Sequence, residues 1–180
     1  MVYSPKTREV TMEGTLVRCE GTTEITIRPA LIQDVPAMAR LINGFASQQL
    51  MLPRSHYQIY GSLRDFQVAV IDDEVVGCGA LQVVWADLAE IRSLAVLREC
   101  HRRGAGSRLV KALLADARAL GLPRVFCLTY QVDFFGEMGF HVIPRESLPH
   151  KIWGDCLNCP KFPNCDETAM SVSLEQEEQE

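Results

Sequence analysis

The chain has 180 residues, of which 47% are hydrophobic and 23% charged, and its formal net charge at pH 7 is -5. This length and composition indicate a single folded domain with one core and exclude a disordered chain. The acidic balance disfavours nucleic-acid binding by the whole surface. No apolar run reaches the roughly 18 residues of a membrane helix, and Lys6, Arg8 and Glu9 stand where a signal peptide would be apolar. We therefore expect a cytoplasmic protein that associates with neither membrane nor nucleic acid.

Local patterns predict one α/β domain over residues 24–174, with an N-terminal extension at 1–23 and an acidic tail at 175–180. Asp34 and Pro36 predict a helix start, and Gly44 is expected to end that helix. The strongest helix pattern is Gly104 to Leu120, with one apolar stripe and a stop at Gly121. The other predicted elements are strands at 24–28, 66–71, 75–85, 89–96, 124–129, 140–143 and 169–174, and helices at 55–64 and 134–138. This order predicts a mixed sheet flanked by helices, without internal repeats.

The segment His101 to Ser107 joins a predicted strand to that helix and carries Gly104 and Gly106. Two glycines let successive backbone N–H groups converge, and the start of the helix adds positive potential. Basic side chains cluster here although the protein is acidic: Arg98, His101, Arg102, Arg103, Arg108 and Lys111. The turn is predicted to bind phosphate, the alternative being a plain tight turn. It lacks the GxxxxGK[ST] pattern and does not follow the first strand, which argues against ATP and NAD.

Three segments together resemble the GNAT acetyltransferase superfamily: EIRSLAV at 90–96, HRRGAG at 101–106 and FFGEMGF at 134–140. The resemblance implies the GNAT fold, with a mostly antiparallel mixed sheet, and acetyl-CoA as co-substrate. It places the pyrophosphate on Arg102, Arg103, Gly104, Ala105, Gly106 and Ser107, and the pantetheine arm along Leu94, Ala95 and Val96. The N–H near Leu94 would polarise the thioester carbonyl. His101 departs from the family pattern, which has Gln or Arg at this position.

An amine is mostly protonated at neutral pH, so a base must act before it attacks a thioester. Glu90, at the start of its strand, is the candidate base; a surface carboxylate is the alternative. Phe135 stands where many relatives have a tyrosine acid, so Thr129 or Tyr130 is expected to contact the sulfur or the tetrahedral intermediate.

Within the superfamily the chain is most similar to the short, stand-alone N-acetylglutamate synthases, the first enzymes of arginine synthesis. The additional segments that support this are VFCLTY at 125–130 and the stretch from Leu148 to Glu167. The resemblance implies transfer of an acetyl group to the α-amino group of L-glutamate, and it suggests a homodimer. A dicarboxylate needs cationic partners. The candidate substrate-binding residues are Arg28, Arg92, Ser93 and Lys151.

The cysteines support two further expectations. Seven cysteines without a secretion signal indicate reduced thiols, and Cys19, Cys78, Cys100 and Cys127 are interpreted as small buried residues. Near the C-terminal end, Cys156, Cys159 and Cys165 have a spacing that begins like a zinc knuckle, but no clear fourth ligand accompanies them. We therefore favour a proline-containing loop over the acceptor pocket and expect no metal.

Two other functions fit the sequence. One is a GNAT enzyme for another small amine or a protein amine. The other is an acetyl-CoA sensor that has lost catalysis, which Phe135 would suit and Glu90 argues against.

Overall fold

A computed structural model describes residues 24–148, 159, 161 and 164–174. The predicted extension, the acidic tail, Lys151 and Cys156 lie outside these residues. Among the described residues, no helix is long and apolar enough to cross a membrane.

Within the described part of the chain, seven strands form one mixed sheet in the order β1-β2-β3-β4-β5-β7-β6. The strands are β1 Thr26–Pro29, β2 Phe66–Ile71, β3 Glu74–Trp85, β4 Leu88–Val96, β5 Arg124–Thr129, β6 His141–Val142 and β7 Thr168–Ser173. All neighbouring pairs are antiparallel except β4 and β5, which run parallel. Parallel neighbours need a crossover connection, and α3, Ala105–Ala119, provides it.

Two helices, α1 Val35–Ala46 and α2 His56–Gly61, cover one face of the sheet. Their core includes Val35, Met38 and Ile42, packed with Val68 of β2 and Ala80 of β3. The other face carries α3 and α4, Val132–Glu137, whose core joins side chains of β4, β5 and β7. The periodic stripe predicted for α3 is buried: Leu109, Val110, Leu113, Leu114 and Ala117.

The predicted end of α1 at Gly44 is wrong by two residues. The helix continues through Ala46, and Gln49 takes a left-handed conformation with a φ of 61° just beyond it. A glycine inside a helix costs about 1 kcal/mol relative to alanine but does not end it when packing continues on both sides. Asp34 also differs from a simple cap of α1, because its carboxylate accepts bonds from the Leu31 N–H (2.7 Å) and from Arg28.

Candidate active site

The parallel strands β4 and β5 pair only at Ala89 with Val125 and at Glu90 with Phe126. Beyond that point β4 continues to Val96 and β5 to Thr129, while the far edge of β5 stays paired with β7 along its whole length. The two strands therefore separate toward their C-terminal ends. A cavity of about 1100 Å³ occupies this opening, lined by the open edge of β4 and by the end of β5.

A bulge in β4 shapes the open edge. The register shifts opposite Gly79, between the pairs Cys78 with Ala95 and Ala80 with Arg92, and Ser93 has a φ of 52°. A side chain at Gly79 would place its Cβ 3.0 Å from Leu94 Cδ1, so the glycine allows the leucine to pack closely here. Bulges redirect a strand next to functional sites. The backbone from Ser93 to Val96 thus lines the cavity as an irregular strand edge.

The glycine turn adjoins this edge. Arg102 and Gly104 adopt left-handed conformations with φ values of 62° and 82°. The first helical bond of α3 runs from the Arg108 N–H to the Gly104 carbonyl, 2.9 Å. The N–H groups of Ala105, Gly106 and Ser107 therefore precede the helical ladder, and no side chain caps them at Gly104. Such a helix start, in a helix of 15 residues beside a large cavity, can bind an anion.

Gly106 lets the turn pack closely against its neighbours. A Cβ there would lie 3.3 Å from Phe134 Cζ and 3.9 Å from Val96 Cγ2. The turn thus packs directly between β4 and α4. His101 contributes on the same side, because its Nε2 lies 2.9 Å from the Val96 carbonyl oxygen. A carbonyl only accepts, so this contact requires a proton on Nε2.

Another part of the cavity lining is polar and charged. Tyr130 donates to Asp166 (2.7 Å), while Lys161 donates to the Tyr130 oxygen (2.6 Å) and to Asp166 (3.0 Å). Burial raises the pKa of Tyr130, so the phenol remains protonated at neutral pH. The hydrogen bonds to Tyr130 and Asp166 raise the pKa of Lys161, which therefore carries a positive charge.

Besides Arg102 of the turn, the cavity has two arginines, Arg54 and Arg92, on its lining. Arg54 follows α1 in the loop to α2, and Asn43 fixes its backbone with two hydrogen bonds. The Asn43 amide donates to the Arg54 carbonyl (2.9 Å), and the Arg54 N–H donates to Asn43 Oδ1 (3.0 Å). Arg92 comes from β4. Three cationic side chains from three separate segments, counting Lys161, therefore line the cavity in addition to those of the turn.

Comparison with known proteins agrees with this architecture. The Acetyltransferase (GNAT) family model matches residues 36–140. The chain belongs to the GNAT acetyltransferase family. As a GNAT N-acetyltransferase it uses acetyl-CoA as co-substrate, as expected from the three sequence segments.

Related sequences and structures extend the match. The enzyme is 43% identical over 148 residues to an uncharacterized N-acetyltransferase of Chlorobaculum tepidum, covering 82% of this chain and 96% of the relative. It is 41% identical to the amino-acid acetyltransferase of Mycobacterium tuberculosis, covering 72% and 75%. The structure of Rv2747 from Mycobacterium tuberculosis, complexed with CoA, superposes with a TM-score of 0.72 at 32% identity, covering 83% and 99%.

A longer protein shares the same fold. The N-acetylglutamate synthase of Neisseria gonorrhoeae, complexed with coenzyme A and N-acetyl-glutamate, matches with a TM-score of 0.76 at 27% identity. The alignment covers 86% of the present enzyme but 36% of the synthase. The acetyltransferase therefore spans about a third of that relative's length.

Most of the site residues expected from sequence line the acetyltransferase cavity. These are Glu90, Arg92, Ser93, Leu94, Ala95, Val96, Arg102, Gly104, Ala105, Gly106, Ser107, Thr129 and Tyr130. Arg103 is half-buried beside the turn and does not line the cavity. Thr129 is buried, and its Oγ1 accepts the Gln131 N–H (2.9 Å), which shapes the chain between β5 and α4.

The structure places Arg28 outside the main cavity, contrary to the expectation that it binds the substrate. The structure puts it on β1 beside a different surface pocket, with Glu24, Asp72 and Asp73, rather than in the main cavity. Its guanidinium makes a paired contact to Asp34, at 2.6 Å and 2.9 Å. Burial opposes ionisation of Asp34, but the Arg28 and Leu31 hydrogen bonds outweigh it and lower the pKa of the carboxyl. This arrangement explains Arg28 as a fold-stabilising partner.

Sequence reasoning missed Arg54, Lys161, Asp166 and Glu167, which the fold brings to the cavity region. It was right about Cys78 and Cys127, which are buried free thiols; burial raises the pKa of Cys78 to about 12. Cys100 is buried as expected, but the expectation of a reduced thiol is wrong there, because Cys100 is disulfide-bonded.

The cysteines of the late segment do not form a metal centre in the described part of the chain. Cys159 and Cys165 are free thiols on the cavity lining. The described residues contain no group of three or more His, Cys, Asp or Glu side chains arranged to hold a metal. Cys165 instead donates to a carboxylate oxygen of Glu167, 3.6 Å away.

Proposed function

We propose that this enzyme is an amino-acid acetyltransferase that moves the acetyl group of acetyl-CoA to the α-amino group of L-glutamate. This reaction would yield N-acetylglutamate and CoA and would begin arginine synthesis. The observation that carries the proposal is the convergence of Arg54, Arg92 and Lys161 on the cavity that also contains the open β4 edge. Relatives named amino-acid acetyltransferase and a structural neighbour bound to N-acetyl-glutamate support the same acceptor.

The co-substrate would bind along the first half of the cavity. Its pyrophosphate would accept hydrogen bonds from the backbone N–H groups at the start of α3. Its extended pantetheine arm would pair with the backbone of Leu94, Ala95 and Val96. To use the Val96 carbonyl, an amide of the arm has to replace the His101 contact. The thioester would then lie in the opening between β4 and β5, with the Leu94 N–H placed to polarise its carbonyl.

The acceptor would bind in the second half of the cavity. Each carboxylate of glutamate needs a cationic partner when it leaves water, and arginine can bind a carboxylate with two parallel hydrogen bonds. Arg54 and Arg92 are suited to this role, and Lys161 adds a third positive charge. The amine would attack the thioester carbon directly after losing its proton to a carboxylate.

The end of β5 would assist the leaving thiolate. Tyr130 donates its own O–H to Asp166, so this proton is not directed at the sulfur. The stabilising positive charge would be that of the Lys161 ammonium, which donates a hydrogen bond to the Tyr130 oxygen. A thiol with a pKa near 8.5 needs little protonation to leave, so electrostatic stabilisation is sufficient.

A substrate panel tests the acceptor. We expect kcat/KM for L-glutamate to exceed the values for L-aspartate, L-glutamine and L-lysine by at least 10-fold, because a structural neighbour binds N-acetyl-glutamate and the cavity lining offers cations for two carboxylates. Release of free CoA thiol reports each turnover. Equal or higher kcat/KM with another member of the panel would refute glutamate as the acceptor, whereas thiol release with glutamate would separate an enzyme from an acetyl-CoA sensor.

A further inference from the structure

Arg92 belongs to a row of paired residues that crosses three strands. It is the partner of Ala80 on β3, and Ala80 is in turn the partner of Phe66, the first residue of β2. Residues directly opposite each other in antiparallel strands point to the same face of the sheet. Phe66 and Ala80 both belong to the core beneath α1 and α2. The Arg92 side chain therefore leaves the sheet on the face that these two helices cover.

Asp65 lies at the other end of this row. It directly precedes Phe66 and is the last residue of the 3-10 turn Leu63–Asp65, in which its N–H donates to the Ser62 carbonyl oxygen (3.0 Å). Two strand spacings separate β2 from β4, a distance of about 10 Å. Ala80, at the middle of the row, presents only a methyl group. A long side chain on β4 can therefore extend across β3 toward the carboxylate.

The charges of Asp65 and Arg92 act on each other in the folded protein. Partial burial is the larger effect and raises the pKa of the Asp65 carboxyl, whereas the charge of Arg92 lowers it. The net result is a raised pKa, so the ionised carboxylate is less stable in the folded state than in the unfolded chain. Carboxylates that are kept in such a place are typical of functional sites.

The two residues have different relations to the cavity. Arg92 lines it, whereas Asp65 does not and stands behind the arginine, at the start of β2. A guanidinium carries five N–H donors in a planar fork. One edge of the Arg92 fork can therefore face Asp65 while another edge faces the cavity.

We propose that Asp65 is a positioning residue for amino-acid binding, which holds the Arg92 guanidinium in the orientation that receives a carboxylate of the acceptor. The inference rests on the proposed role of Arg92 in the acceptor site. Without Asp65, the arginine side chain has to give up its rotamer freedom when the acceptor binds, and the affinity for the acceptor falls. Asp65 acts through Arg92 and does not touch the reacting atoms.

The variant Asp65→Asn distinguishes positioning from simple charge repulsion. A negative charge near an anionic acceptor weakens binding by itself, so repulsion predicts that the variant has a lower KM for glutamate. Positioning predicts the opposite, a KM for glutamate that is about 3- to 10-fold higher. The values of kcat and of KM for acetyl-CoA should not change, because the lost interaction serves acceptor binding in the ground state and transition state alike.

A double-mutant cycle with Arg92→Gln shows whether the effect passes through the arginine. In the Arg92→Gln background, Asp65→Asn should leave KM for glutamate within about 2-fold, whereas independent sites would give the same rise in both backgrounds. Asp116→Asn is the matched control. Asp116 is also half-buried and accepts a hydrogen bond from Gln67 of β2 (2.8 Å), but it belongs to α3 on the other face of the sheet. The control variant should keep the wild-type KM values.

Thermal unfolding separates loss of positioning from misfolding. Because the folded state disfavours the ionised Asp65 carboxyl, the neutral amide should have the same Tm as the wild type at neutral pH, or a higher one. An unchanged or lower KM for glutamate in Asp65→Asn would overturn the proposal. So would an equal rise in both backgrounds, or a rise in KM for acetyl-CoA together with a lower Tm.

Failure of the proposed function gives a different result. If the substrate panel shows that another amino acid is preferred, glutamate is excluded as the acceptor. The cycle measured with that amino acid then decides the role of Asp65, because every α-amino acid carries a carboxylate. If Arg92→Gln leaves KM unchanged for every member of the panel, the carboxylate-binding role of Arg92 and the positioning role of Asp65 are both wrong.

Discussion

Replacing Gly104 by alanine should separate the role of the glycine turn in binding from its role in folding. Gly104 has a φ of 82°, and a Cβ there meets no atom within 4 Å, so the cost is conformational rather than steric. A left-handed conformation costs an L-residue about 1 to 2 kcal/mol. For a chain of this size about 1 kcal/mol lowers Tm by roughly 2 to 4 °C.

Gly121 offers a matched control. Its φ is 73°, its Cβ would also meet nothing within 4 Å, and it ends α3 at the end remote from the cavity. Gly121→Ala should therefore lose the same stability without any change in CoA affinity. In Gly104→Ala the turn can relax away from the conformation that binds CoA. Returning to that conformation on binding costs up to about 1 kcal/mol of binding free energy, which corresponds to a roughly 5-fold higher Kd for CoA. Thermal unfolding and isothermal calorimetry measure both quantities. Equal CoA affinities in the two variants would refute a binding role for the turn.

Three further substitutions test the account. Asp34→Asn should reduce the free energy of unfolding by about 2 kcal/mol at neutral pH, because it removes the charged partner of Arg28. The folded state lowers the pKa of Asp34, so this difference in the free energy of unfolding should be complete above about pH 5 and shrink as pH falls below about 4. Urea titrations at several pH values measure it. A difference that does not change with pH would contradict the ion pair. Arg92→Gln should raise KM for glutamate by 10-fold or more with KM for acetyl-CoA unchanged, and an equal rise in both would point to misfolding instead. Tyr130→Phe should lower kcat by roughly 10-fold, because it removes the oxygen that Lys161 contacts; an unchanged kcat would exclude this contact from catalysis.

The sequence predicted the elements whose information is local. The stripe from Leu109 to Ala117 and the left-handed Gly121 specify α3 within one segment of chain. The phosphate turn could be found for the same reason, since glycines, a helix start and basic residues are adjacent along the chain. The predicted strands β2 and β5 match the observed bounds, because each is a short apolar run between turn residues.

The acceptor half of the site depends on tertiary contacts that no local pattern contains. Lys161 and Glu167 reach the cavity because β7 inserts between β5 and β6, a topology that no local signal specifies. Arg54 is positioned by Asn43, eleven residues earlier, across a helix end. Arg28 shows the opposite failure, because the family resemblance assigned it to the substrate whereas in the structure its guanidinium pairs with Asp34. The pairing of Arg28 with Asp34 through a 3-10 turn has no periodic signature.

Hydrogen exchange with and without CoA tests the central claim most directly, namely that the co-substrate lies along the open edge of β4 with its phosphates on the turn that begins α3. We predict slower amide exchange in peptides covering residues 93–97 and 104–108 when CoA is present, and unchanged exchange in β1 and β2. Slower exchange only in other segments, or unchanged exchange at both 93–97 and 104–108, would contradict this placement of the co-substrate.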